Sequence, residues 1–334
     1  MSQVSRRRFY FAATALLIAQ LALAQTRSTG KRFRVGLFPD LQEPWLGWMH
    51  EAMQSAGFRQ GRDYVFVESG ASYGEPTAVA VHRLMGLGIE LVLVASTAHA
   101  IAARQATTRL PIVMWGSGFP VEAGVAVSLA RPGKNVTGVS AYAGTGVFGK
   151  LLELLREAKP GIGRVGVASG YVPPMFPRQE IEPIFREIRQ AARALGLRLH
   201  IEEIASSEAV QAGLASLETA RPDALLVMAG PGFYSERHRV LQFALAKRIP
   251  TAVDWRWPPG DSLQPLLTYG AIFSDSMRQA ANYVVRILRD GAHPGELPIQ
   301  LPSKFELMVN RRTAKAIGLT IPQALLLRAD EVVE

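Results

Sequence analysis

The chain has no cysteine among its 334 residues, so neither a disulfide nor a lipid-modified N-terminal cysteine is available to it. Charge is sparse at 19%, against 48% hydrophobic residues, a globular composition that excludes a disordered or fibrous chain. Beyond residue 24, no apolar run approaches the ~20 residues of a spanning helix. Catalytic signatures are missing as well. There is no GxSxG elbow, no HExxH, no phosphate-binding loop and no cluster of metal ligands; Gly116-Ser117-Gly118 has the wrong spacing for the elbow. The six histidines, His50, His82, His99, His200, His238 and His293, are scattered, and only His99 stands near a candidate site. These absences point away from an enzyme, a metal centre or a bound cofactor, although acid–base pairs leave no local spacing to find.

What is present begins with Ser5-Arg6-Arg7-Arg8-Phe9, followed by an apolar stretch from Phe11 that ends in Ala22-Leu23-Ala24. A basic start, a short hydrophobic middle and small residues before the cut describe a secretory signal peptide over 1–24. The arginine pair fits the twin-arginine route as well as the general one. Export would leave the mature protein free in the periplasm. Loss of Arg6, Arg7 and Arg8 with the signal takes the net charge from +9 to +6. The remaining basic residues are spread along the chain, which together with export argues against nucleic acid as a partner and leaves a weak preference for an anionic ligand.

The length suffices for two domains of common size. Runs at 34–38, 64–68, 90–95 and 112–115 read as strands, and 44–56, 75–85 and 98–107 have helical spacing. The rhythm restarts at 164–168, 197–202, 224–228 and 251–254, with helices near 176–195, 207–219 and 233–247, and a late strand, helix and strand come at 266–269, 275–289 and 305–309. Such alternation implies an α/β fold of two Rossmann-like lobes with parallel sheets. The turn-rich stretch from Arg131 to Gly138 suits a chain leaving one lobe for the other.

Ligands of such sheets bind beyond the carboxyl ends of the strands. There the sequence is aromatic: Trp45, Trp115, Phe119, Tyr171 and Trp255 offer flat apolar area around a solute, with Tyr269 at a hinge edge. The same spacing allows Trp45, Trp48, Met49 and Ala52 to form one buried helical face. Ser96 and Thr97 precede a helix, where a hydroxyl cap and free main-chain N–H groups suit a carboxylate or a purely structural cap. Ser274-Asp275 reads as a structural cap of the late helix.

Three stretches carry a resemblance to a known family. Residues 128–138 read SLARPGKNVTG, 105–111 read QATTRLP, and the tail from Leu301 to Glu334 reads LPSKFELMVNRRTAKAIGLTIPQALLLRADEVVE. Together they resemble the ABC-transporter substrate-binding family, which includes tryptophan and aromatic amino-acid binders, over nearly all of the mature chain. The resemblance implies the type I periplasmic-binding-protein fold, a small-molecule ligand held between the lobes, a three-segment hinge and an inner-membrane ABC permease as partner to a monomer. It places lobe one at 31–140 plus 270–291, lobe two at 141–269 plus 292–334, and hinge segments near 138–142, 262–269 and 292–298. Two departures stand out: Phe119 replaces the acid of a usual GDP turn, and Ile272 that of a usual YGPD turn. A ligand ammonium needs a carboxylate in a closed cleft, so the expected solute has an apolar or aromatic body and a carboxylate, without an amine. A periplasmic enzyme on the same scaffold and a sensory binding protein that presents its ligand to a receptor are the rival readings.

Overall fold

A computed structural model describes residues 31–41, 43–71, 75–142, 146–173, 178–228, 236–257 and 263–334, so the signal-peptide reading over 1–24 lies outside it. Strands β1 (Phe33–Phe38), β2 (Tyr64–Glu68), β3 (Leu91–Val94), β4 (Ile112–Ser117) and β5 (Val136–Ser140) pair in the order β2-β1-β3-β4-β5, all parallel. Helices α1 (Trp45–Ser55), α2 (Thr77–Gly86) and α3 (Thr97–Ala106) alternate with the first four of them. A second sheet repeats this arrangement with β6 (Arg164–Ser169), β7 (Arg198–Glu203), β8 (Ala224–Met228), β9 (Thr251–Val253) and β10 (Leu267–Ala271), ordered β7-β6-β8-β9-β10. Its helices are α4 (Gly146–Ala158), α5 (Arg178–Ala194), α6 (Val210–Ala220) and α7 (Arg237–Ala246). Each lobe thus has the doubly wound order 2-1-3-4-5, whose switch point lies between its first and third strands. Strands β3 and β8 are buried along their whole length, as parallel strands covered on both faces must be.

Sequence periodicity anticipates this repeat but not all of its parts. Strand β11 (Phe305–Asn310) runs antiparallel to β10, and β12 (Glu331–Val333) extends the second sheet beside it. Helix α4 comes almost directly after β5 and buries Phe148, Leu151, Leu152 and Leu155. Residues 131–138 do not lead out of the first lobe. Asn135 donates its side-chain amide to the carbonyls of Leu110 (2.7 Å) and Thr107 (3.1 Å), and every residue of β5 is buried. These are the turn and edge strand that complete the first sheet. After β10 the chain enters α8 (Phe273–Leu288), which packs on α1, β4 and β5 of the first sheet. A 3-10 turn at Pro294–Glu296 then leads to Gln300, which bridges Val139 before the chain returns to β11. The chain therefore passes between the sheets three times: after Ser140, at Ile272, and between Gln300 and Phe305. The last two crossings lie downstream of the segments read from sequence, because 267–269 belong to β10 and Leu297 to the first lobe, where its carbonyl accepts from the Thr137 hydroxyl at 2.7 Å.

The first crossing sits on a tight contact. Gly138, at φ +147°, lies opposite Met114 in the β4–β5 register, and a Cβ built there would stand 2.2 Å from the Met114 carbonyl oxygen. Only glycine tolerates both that φ and that approach. Gly138→Ala is expected to cost about 2–4 kcal/mol of stability, measured by urea unfolding; an unchanged midpoint would contradict this account of β5.

Candidate functional site

The carboxyl ends of the strands carry the side chains that can meet a ligand. At the start of α3, after β3, Ser96 Oγ accepts from the main-chain N–H of His99 at 3.3 Å, and the buried Thr97 hydroxyl donates to the carbonyl of Gly118. The Ser96 hydroxyl thus caps α3, and the Thr97 hydroxyl holds the helix to the turn after β4. What α3 still offers a ligand is the main-chain N–H groups of Thr97 and Ala98, which precede the one capped by Ser96 and have no partner inside the helix. His99 packs edge-on against Phe38 with centroids 4.9 Å apart. Burial lowers its pKa to about 4, so its ring is neutral, and Nδ1 has no hydrogen-bond partner.

Beside this lies a ladder of rings. Trp115, near the end of β4, meets Phe273 of α8 edge to face at 5.8 Å, and Phe273 meets Trp255 at 5.9 Å. Trp115 and Phe273 pack against the first sheet's core, and Trp255 against the second's. The indole N–H of Trp115 is buried without a partner. A second ring pair crosses the lobes where Phe119, held at φ +40°, stacks on Tyr142 at 5.7 Å with only 8° between planes.

Below that stack is a buried carboxylate. The hydroxyls of Tyr142 and Tyr171 lie 3.0 and 2.9 Å from Asp254 Oδ2, placed to donate to it, and 3.0 Å from each other. Asp254 Oδ1 is buried with no hydrogen-bond partner. Burial pushes the Asp254 pKa up to about 6, with the two tyrosine hydroxyls pulling it partly back. Burial, reinforced by Tyr171 and Asp254, holds the Tyr142 hydroxyl well above its ordinary value, so it remains a donor. Gly270 makes the packing possible, since a Cβ there would lie 1.9 Å from the Asp254 carbonyl oxygen.

The family model of the ABC transporter substrate binding protein matches residues 42–333. This chain belongs to that family. Membership assigns the binding of a substrate rather than its conversion. The chain is 24% identical over 284 residues to the tyrosine-binding protein of Clostridioides difficile strain R20291, covering 84% of this chain and 78% of that one. Its fold is that of an ABC domain from Streptococcus pneumoniae solved in complex with L-Trp (TM-score 0.77, 21% identity, 91% of this chain and 100% of the other). A conserved domain protein from Vibrio cholerae is similar to the same degree (TM-score 0.79, 23% identity, 90% and 100%). Among the described residues, no helix is long and apolar enough to cross a membrane, and no group of histidine and acidic side chains could hold a metal ion.

In this substrate-binding protein the residues singled out from sequence separate into groups. Trp115 and Trp255 share one ladder. Phe119 and Tyr171 flank Tyr142, and Ser96 and Thr97 adjoin Phe119 through Gly118. Trp45 stands at the first residue of α1 and, with Trp48, packs half-buried on the core that holds Met49 and Ala52. Tyr269 stacks on Phe305 of the neighbouring strand. Ser274-Asp275 does not cap α8: its N-cap is Ile272, without a side-chain bond, and Asp275 instead pairs with Arg278 and Lys304. Residue type and spacing alone do not single out Phe273, Tyr142 or Asp254. The signal for Asp254 is its place as the one acid directly after the apolar strand Thr251–Val253. Removing one donor with Tyr171→Phe should raise the Asp254 pKa above 6, read from its carboxyl carbon shift by NMR across pH; an unaltered titration would mean that the hydroxyl does not serve the carboxylate.

Proposed function

We propose that this protein is an exported, monomeric solute-binding component of an ABC importer, which holds a small molecule with an aromatic body between its lobes and delivers it to a permease. The observation that carries this reading is the ladder Trp115–Phe273–Trp255, whose outer rings belong to different lobes and whose middle ring comes directly after a crossing between them. An aromatic solute among these rings gains contact from both lobes only when they are together. Binding therefore favours the closed arrangement by the difference in those contacts. The ligands of the relatives, tyrosine and L-Trp, support the same class of solute. The main-chain N–H groups of Thr97 and Ala98 in α3 are the natural partner for a carboxylate on the solute, since the helix dipole and free donors coincide there. A signal peptide at 1–24 would deliver the protein to the periplasm, where a permease reads closure.

A thermal-shift screen with aromatic amino acids, aromatic acids and dicarboxylates will identify the solute, because a specific ligand stabilises the fold by mass action. With it in hand, Trp115→Ala and Trp255→Ala should each weaken binding about tenfold or more in calorimetry. Wild-type affinity in both variants would refute the ladder as the ligand's seat.

A further inference from the structure

We propose that Phe119, stacked on Tyr142, is a latch that draws the two lobes together before any solute arrives, so that the unliganded protein already populates the closed arrangement. This goes beyond the aromatic-solute reading: it requires lobes that part, but no particular cargo.

Each half of the stack is held by a different lobe. The main chain around Phe119 is fixed to the first: the Gly118 carbonyl accepts from the Thr97 hydroxyl, and the Phe119 carbonyl accepts from the N–H of Ala123 at 3.0 Å. The same turn ends in Val125 and Ala126, buried in the core of the first lobe beside Val92 and Val94 of β3. The Phe119 ring nonetheless packs against the core of the second lobe. Tyr142 meets it from that side. Its main-chain N–H still donates to Ser140 Oγ at the end of β5, but its ring reaches over the crossing, where it meets Phe148 of α4 at 5.6 Å. Its hydroxyl lies 3.0 Å from Asp254 Oδ2 and 3.0 Å from the Tyr171 hydroxyl, both of the second lobe. Tyr142 cannot swing after a departing Phe119 without giving up those contacts. Parting of the lobes therefore takes one ring off the other and turns apolar faces to water.

The stack is also closed to a solute. The ring planes are 8° apart with centroids at 5.7 Å, whereas a third ring inserted flat would need about 7 Å between planes, twice the ~3.5 Å contact distance of carbon atoms. The ladder rings meet at 75° and 41° and do not cover one another's faces in this way. Phe119 moreover holds φ +40°, a left-handed conformation that is unfavourable for a residue with a Cβ and persists where the surroundings over-determine it. That backbone is what presents the ring to Tyr142. Because apparent affinity scales with the fraction of protein in the binding-competent arrangement, such a latch tightens binding without touching the solute.

The test uses the full mature chain, whose lack of cysteine lets two spin labels be placed at chosen positions. Ala78→Cys at the start of α2 and Ala205→Cys just beyond β7 stand near β2 and β7, the edge strands on the side away from the crossings at β5 and β10. Pulsed electron paramagnetic resonance then reads the separation of the lobes, on protein freed of retained solute by unfolding and refolding. Without solute, the labelled parent should show a short-distance population. Phe119→Ala should lower the ratio of that population to the longer-distance one about two- to tenfold, the worth of one aromatic pair, and Phe119→Tyr, which keeps the ring, should hold it at the parent's value. A parent that shows only the longer distance without solute refutes the latch. So does a Phe119→Ala distribution equal to the parent's. Should Phe119→Ala not refold, Phe119→Leu, which keeps apolar volume but not the flat face, is read in the same way. In every case the aromatic-solute reading stands or falls separately, on the ladder variants.

Discussion

Parallel strands cannot be joined by tight hairpins; each return to the next strand needs a crossover, usually a helix. In this chain that constraint holds for β1 to β10 in two successive sheets, and it determines where a ligand can be met. All first-sheet strands end at one edge, as do those of the second up to β10. The segments at those edges are free of ladder bonding and can carry rings, hydroxyls and a carboxylate. The helices behind them bury the opposite faces and hold the strands at fixed spacing. The candidate site is therefore assembled from short segments far apart in sequence, at 96–97, 115–119, 142, 171, 254–255 and 273, without any of them needing a local motif.

The same constraint explains what is legible in the sequence and what is not. Strand and helix rhythm is a local property, so the two lobes can be read from apolar runs such as Leu91–Val94 and Ala224–Met228. The family stretches at 128–138 and in the tail add the relationship that periodicity cannot. The stretch at 131–138 reads as a linker because its proline and glycines signal a turn. What makes its end a strand is the neighbour it pairs with, Met114, 24 residues earlier. Strand β12 is hidden for a similar reason: its pairing partner, β11, is itself reversed relative to β10.

At the site, rings are legible and their partners are not. Trp115 and Trp255 stand out by residue type, but Phe273 joins them only through a crossing that the sequence suggests elsewhere. Tyr171 reads as an apolar wall, whereas its hydroxyl is engaged with a carboxylate 83 residues away. The most consequential difference concerns charge. Two acids of the family turns are replaced by Phe119 and Ile272, whereas the carboxylate of Asp254, buried and facing two phenolic hydroxyls, stands at the end of β9 where no local pattern marks it.

Between the last residue of β10, in one sheet, and the first of α8, on the other, stands Ile272 alone. A one-residue link permits rotation about two backbone torsions and almost no translation. With the crossings after Ser140 and between Gln300 and Phe305, to which Ile272 is tied through the Lys304 carbonyl, it holds the lobes as a door to its frame, not as beads on a tether. Because Phe273 is the next residue, the middle rung of the ladder lies directly beside this link. Opening would separate Trp255 from it by swinging rather than sliding, and the site's width would be set by an angle instead of a distance.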